Sequence, residues 1–329
     1  MDVSLITSLY RSEQFLTHFV DHLLRVSGEV SQAGLTLESI IVANDPTPAE
    51  LEQINRLIAS AGTVLSVKLL QVPRETLYAS WSRAMDVATG ALIGIWNVDD
   101  IRNSAALLEG HQLKQGGCHL IDFSYKLEMT FKQLYGRPVQ ISFENPAVPY
   151  MQSRAGTVDW CRASPFFLFS AELYQQTGRF DGRFRIVGDF DWQSRAVKFA
   201  SYCIGTSSGG TFYVHGNNLS MWTHQDTPIE ENVVRLLHRE WGNLQPTDPN
   251  MMRETWAKWD DDTLPPDVQE TLWGRTAWVN YRKWKRSQFF RDLSIAVRTL
   301  GSEIVDRTGT RRVLAKLGLV SSTTHVSIS

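Results

Sequence analysis

The sequence predicts an α/β fold: a mostly parallel sheet flanked by helices, followed by a helical C-terminal extension. Three observations carry this. Strand and helix patterns alternate through the first hundred residues. One apolar run, Ala91-Leu92-Ile93-Gly94-Ile95-Trp96, ends on acidic residues, as a buried strand does at the rim where such sheets bind ligands. Past Asp226 the pattern turns helical.

The elements follow in order. Val3 to Thr7 reads as the first strand, and Phe15, Phe19 and Leu23 at four-residue spacing mark the first helix. A strand from Ser39 to Ala43 leads to a helix carrying Leu51, Ile54 and Ile58. A strand from Ser66 to Val72 then precedes a helix through Leu77, Trp81 and Ala84, and Ala91 to Trp96 closes the series. From Ala105 to about Trp222 the pattern is irregular, with a strand at His119 to Tyr125, prolines at 146 and 149, and the apolar stretch Phe166 to Phe169. This half suits the shaping of a second pocket within one domain spanning 1–225, divided into 1–104 and 105–225. The extension, 226–329, breaks at Leu264-Pro265-Pro266 and then sets Trp284, Phe289, Leu293, Ala296, Leu300 and Ile304 along one helical face.

Composition excludes several classes. Apolar residues are 43% and charged residues 21%, which fits a folded chain rather than a disordered one. A net charge of -2 gives no global attraction to nucleic acid. Cys118, Cys161 and Cys203 are widely spaced, suggest neither a zinc site nor a disulfide framework, and point to a reducing cytoplasm. The N-terminus runs into a strand without a basic leader, and no apolar run approaches the roughly 20 residues that span a bilayer. The expectation is a cytoplasmic protein. Its one route to a membrane is peripheral contact at the inner face, through Arg282, Lys283, Lys285 and Arg286 among Trp278, Tyr281, Trp284 and Phe289. The competing reading of that cluster is a solvated helix face with its aromatics docked on the catalytic domain.

Two acidic turns carry the chemistry. Asp99 and Asp100, at a strand end, can bind a divalent cation whose open positions take diphosphate oxygens; an isolated pair of this kind is as readily a turn former or helix cap. Ser8 and Tyr10 follow the first strand and Asn44-Asp45 the second, on the same rim. Tyr10 offers an aromatic face there, and Asp45 an acceptor for the N–H of a uracil-like ring. The second turn, Gly188-Asp189-Phe190-Asp191, sits ahead of a helix. Asp189 has no Lys or Arg four residues on to claim it and is the candidate base; Asp191, two residues further on, is its rival and points elsewhere on a helix. His215, after a short strand, is a candidate third cation ligand. Trp160, Arg162 and Pro165 precede the strand expected on the acceptor side. Gly-x-Gly-x-x-Gly is absent from the first turn, so a dinucleotide fold has little support.

These residues, in order, resemble an inverting glycosyltransferase of the GT-A fold, family two. The resemblance is carried by Val3-Ser4-Leu5-Ile6 with Tyr10, Ile40-Ile41-Val42-Ala43-Asn44-Asp45, Leu77-Tyr78-Ala79-Ser80-Trp81-Ser82-Arg83, Ala88-Thr89-Gly90, Asn97-Val98-Asp99-Asp100, and Gly188-Asp189-Phe190-Asp191-Trp192 with Arg195. It covers roughly Val3 to Ser220. It implies that Ser8 and Asp45 contact the donor nucleotide, that Asp99 and Asp100 form the metal and ribose-diphosphate site for Mn2+ or Mg2+, and that Asp189 is the base. The implied reaction moves a sugar from a nucleoside-diphosphate donor, a UDP-sugar by first choice, to a hydroxyl of a glycan, glycolipid or polysaccharide precursor. The chain departs from the family pattern at Asn44, Ser82, Asn97 and Gly188. Two other classes stay open. A nucleotidyltransferase would bring a glycine-rich basic phosphate loop near the first strand, where only Arg11 stands. A non-catalytic nucleotide- or carbohydrate-binding module would keep the fold without turnover.

Overall fold

Among the described residues, short runs rich in Val, Ile and Leu become the strands of one nine-stranded mixed sheet. The computed structural model describes residues 1–134, 137–145, 147, 164–215, 218, 230, 231, 234 and 238. Strands β1 (Val3–Leu9), β2 (Leu37–Asn44), β3 (Ser66–Val72) and β4 (Leu92–Ile95) pair in parallel in the order β3-β2-β1-β4. Parallel neighbours need crossovers, and helices α1 (Glu13–Gln32), α2 (Pro48–Ser60) and α3 (Leu77–Met85) supply them. The carboxyl ends of these strands therefore share one rim.

Beyond β4 come the short β5 (Ile101–Arg102), α4 (Ser104–Gln115), β6 (Leu120–Leu134), β7 (Arg137–Asn145), β8 (Leu168–Ser170), α5 (Ala171–Thr177), α6 (Gly188–Ala196) and β9 (Tyr202–Val214). β8 runs antiparallel to β4 and continues the sheet through β6, β9 and β5, while β7 pairs with β6 as a hairpin. The sheet splits the core in two. With the two-residue side-chain period, Ile6, Ile40, Val42, Ile93 and Ile95 pack beneath α3, α5 and α6 with Trp81, Phe180 and Trp192. Leu5, Leu9, Ile41 and Ala43 pack beneath α1, α2 and α4 with Leu16, Phe19, Leu23 and Ile54. This is the expected α/β arrangement.

Several details differ from the sequence reading. The buried position near the end of α2 belongs to Leu57, whereas Ile58 is exposed. The strand expected at His119 to Tyr125 extends to Leu134 because β7 and β9 extend its pairing. Gly188 and Asp189 form the first turn of α6 rather than a turn ahead of it. Cys118 and Cys203, 85 residues apart, are joined as a disulfide with a Cα–Cα distance of 6.0 Å. The expectation of no disulfide thus fails, because the parallel pairing of β6 with β9 sets Ile121 opposite Cys203, a juxtaposition that spacing does not reveal. The cysteine-based reason for a reducing compartment goes with it.

No helix among the described residues is long and apolar enough to cross a membrane. Of the extension 226–329, only Glu230, Glu231, Val234 and His238 are described; its basic aromatic cluster lies outside the described residues, as do Cys161, Trp160 and Arg162.

Candidate active site

Three contacts lash the turns after β1 and β2 together. The Ser12 backbone N–H donates to Glu50 (2.6 Å), the Thr47 hydroxyl to Glu13 (2.6 Å), and Arg11 forms an ion pair with Asp45 at 3.1 Å. Arg11 (φ 52°) and Asp45 (φ 47°) are the two non-glycine residues at positive φ among the described residues. Such conformations cost roughly 1–3 kcal/mol each and collect at ligand clamps. Tyr10 is 39% exposed beside them, with the guanidinium of Arg74 4.7 Å and that of Arg11 5.6 Å from its ring centre. Ser8 is partly buried at the end of β1. Asn44 is turned inward: its side-chain oxygen accepts from the Glu75 N–H and its amide donates to the Glu75 carbonyl, both at 2.8 Å, and to Ser80. It therefore ties β2 to the approach to α3 instead of facing the rim.

At the end of β4, Asp99 and Asp100 part company. Asp99 accepts from His215 Nε2 at 2.9 Å and from Asn218 at 3.2 Å, and both His215 and Asn218 follow β9. Phe15 of α1 packs on the His215 ring with centroids 5.0 Å apart. Asp100 is 5% exposed, and each of its oxygens has a protein donor: the Tyr213 N–H and the Asn97 amide, both at 3.2 Å. Burial, with the neighbouring Asp99 charge, pushes its carboxyl well above the usual range. Arg102, fully buried behind it, donates to the carbonyls of Ile95 and Phe166, and burial lowers its guanidinium to about 9.

The carboxylate of Asp99 and the imidazole of His215 fit the donor set of a Mn2+ or Mg2+ ion whose remaining positions go to oxygen ligands. Asp100 lies buried behind them, and its two donors take only part of the acceptor capacity of its carboxylate. Among the described residues no group of three or more His, Cys, Asp or Glu side chains stands ready as a complete cage. A cavity of about 620 Å³ opens between this loop and α1, with Phe15, His18, His22 and Arg25 facing Asp99 and His215.

The two aspartates of α6 differ more sharply. Asp191 is 4% exposed and held by Arg195 at 2.9 Å, the i,i+4 partner, and by His238 at 3.2 Å. Burial pushes its carboxyl up, but His238 and Arg195 outweigh that and leave it below the ordinary value. Asp189 accepts through Oδ1 from the Tyr78 hydroxyl (3.0 Å) and from the Phe190 N–H (2.9 Å); its Oδ2 has no side-chain donor among the described residues. Burial raises its carboxyl, and the Tyr78 and Phe190 bonds offset only part of the rise. Tyr78 stands in the first turn of α3, which starts from the same sheet rim as Tyr10 and Asp45.

Sequence reasoning missed several residues. Tyr78 lay within a motif but had no assigned task. Arg74 follows β3 as Tyr10 follows β1, and that rim position was its available signal. Asn218 and Glu230 gave none, since each works through backbone groups or partners far off in sequence. The Glu230 carboxylate accepts from the N–H groups of Arg185, Ile186 and Val187 at 2.9, 2.8 and 3.1 Å.

No protein-family model matches the chain, and no curated protein sequence matches it. Solved structures do. S. aureus TarS 1-349 superposes with a TM-score of 0.50 at 16% identity, over 79% of this chain and 70% of that one. The same protein in complex with UDP-GlcNAc gives 0.51 at 13%, over 83% and 78%. The mannosyltransferase PcManGT from Pyrobaculum calidifontis, in complex with GDP-Man and Mn2+, gives 0.50 at 13%, over 90% and 86%. The fold is therefore GT-A-like, as the sequence motifs anticipated.

Proposed function

We propose that this GT-A-like chain is an inverting, nucleotide-sugar-dependent glycosyltransferase with Asp189 as its base. The observation that carries the proposal is the contrast between two carboxylates on the first turn of α6: Asp191 is consumed by Arg195 and His238, while Asp189 keeps an oxygen without a side-chain donor among the described residues. Solved structures with UDP-GlcNAc and with GDP-Man on the same fold support the donor class.

On this reading Tyr10 and Asp45 receive the nucleotide base, with Ser8 beside them. Asn44 acts from behind by fixing the approach to α3. Asp99 and His215, with Asp100 behind them, would hold Mn2+ or Mg2+, which supplies positive charge to the departing diphosphate. Asp189 removes the proton from an acceptor hydroxyl as that oxygen bonds to the anomeric carbon. The bond from that carbon to the diphosphate breaks on the opposite face, its electron pair leaves with the nucleoside diphosphate, and configuration inverts. No second carboxyl has to protonate the leaving group. The acceptor is a hydroxyl of a glycan, glycolipid or polysaccharide precursor.

The test has two arms. A thermal-shift panel of UDP and GDP, with and without Mn2+ or Mg2+, should raise the melting temperature by mass action for at least one combination; no response to any would sink the donor site. Transfer from labelled nucleotide sugars should then fall about 10²–10⁴-fold in Asp189→Asn with nucleotide binding preserved. Binding without turnover in the native protein would instead favour a non-catalytic module.

A further inference from the structure

Resting on the reading of Asp189 as the base, we infer that Glu230 is its positioning residue, acting through the backbone of the segment that delivers Asp189 to the site. Three consecutive N–H groups, those of Arg185, Ile186 and Val187, converge on its two carboxylate oxygens at 2.8 to 3.1 Å, and Glu230 is 2% exposed. Converging amides of this kind make an anion-binding concavity, filled here by a carboxylate of the same chain. From the other side the Tyr78 hydroxyl reaches the Ile186 carbonyl at 2.5 Å. The segment is thus gripped by its N–H groups and its carbonyl at once.

The helix that follows has no side-chain cap at its N-terminus. Val187 occupies the N-cap position of α6 and offers no side-chain oxygen, so the amide donors ahead of Asp189 depend on Glu230. Val234 and His238 extend the hold: four residues past Glu230, Val234 is fully buried in the core beneath α6, and four further on, His238 meets Asp191. The His238 N–H donates to the Val234 carbonyl at 3.0 Å, which ties these two together. The turn bearing Asp189 is therefore fixed before it by Glu230 and after it by His238. These bonds of Glu230 go to the backbone ahead of Asp189, so its effect is geometric: catalytic groups need placement within about 0.5 Å.

The test compares Glu230→Gln and Glu230→Ala with the native protein. The Gln variant keeps the shape but turns one acceptor into an amide facing N–H donors. The expected result is a kcat loss of roughly 10- to 100-fold, larger for Ala, with donor KM and nucleoside-diphosphate affinity held within about twofold. An activity-free readout accompanies it. Carbon-13 NMR titration of the Asp189 carboxyl should shift to higher pH in Glu230→Gln, as the loosened Tyr78 bond outweighs the fall that loss of the Glu230 charge alone would give. A folded Gln variant with native kcat and an unmoved titration overturns the inference, as does turnover that returns fully on cooling in step with recovered folding. Asp189→Asn, run alongside, separates the two claims: native transfer in that variant removes the base reading, while the titration still decides whether Glu230 sets the carboxyl.

Discussion

Gly188→Ala tests why glycine precedes the proposed base. A Cβ built at position 188 would meet Tyr78 ring atoms at 2.5, 2.6 and 2.9 Å. Ordinary carbon contact begins near 3.4 Å, so the ring would have to retreat by about 0.9 Å. It has nowhere to go: Tyr78 is 2% exposed, with Trp81 edge-on at 5.0 Å and Phe180 stacked at 6.4 Å. Overpacking of this kind costs roughly 1–3 kcal/mol, and at roughly 2–4 °C per kcal/mol the melting temperature should fall by about 2–12 °C. The same displacement takes the Tyr78 hydroxyl away from Asp189, and misplacement by about 1 Å costs on the order of 10²-fold in rate. Differential scanning fluorimetry and labelled-donor transfer read the two effects. Combining Gly188→Ala with Tyr78→Leu should relieve the overlap and recover stability without recovering turnover, because the hydroxyl is gone. Native melting and native turnover in Gly188→Ala would refute the close-packing argument outright.

The remaining predictions address charge and covalent linkage. Asp189→Asn should melt at or above the native temperature at pH 7. The raised folded value of Asp189 means that its contribution favours the fold at low pH and is lost as pH rises through that value, so the neutral Asn removes a penalty; a large drop in melting temperature would assign Asp189 to structure. Asp191→Asn should instead destabilise, since breaking a buried pair costs roughly 3–5 kcal/mol, measured by urea unfolding. Glu109 accepts from the backbone N–H groups of Thr206 and Ser207; partial burial pushes its carboxyl up, but these bonds and the Thr206 hydroxyl hold it at about 2. Its stabilisation is present above the unfolded carboxylate range and lost as pH falls toward about 2, so Glu109→Gln should show a flatter acid-unfolding profile. Reducing the Cys118–Cys203 bond releases a long loop in the unfolded chain and should lower stability by roughly 2–5 kcal/mol in a denaturant titration with dithiothreitol.

How much of this was legible in the sequence follows from the range of each interaction. Strand and helix identities from β1 to β4 rest on local signals, short apolar runs for the strands and four-residue apolar spacing for the helices, and β3 was read to the residue. The rim was legible for the same reason: in a parallel sheet each strand end falls on one edge, so Tyr10, Asp45 and Asp99 could be grouped without contacts. The pairing of Asp191 with Arg195 was not called, although four-residue spacing was a local signal for it. What stayed hidden is what depends on chain segments meeting far from their sequence neighbours. Tyr78 finds Asp189 across 111 residues, and Glu230 finds Val187 across 43. Asn44 shows how local reading misleads even at the rim, since its position was right and its direction was not: the next strand's loop claims its amide. Gly188 makes the same point in reverse. Its departure from the family pattern looked like a weakness of the base assignment, yet the space it leaves is taken by the ring of Tyr78, whose hydroxyl bonds the proposed base.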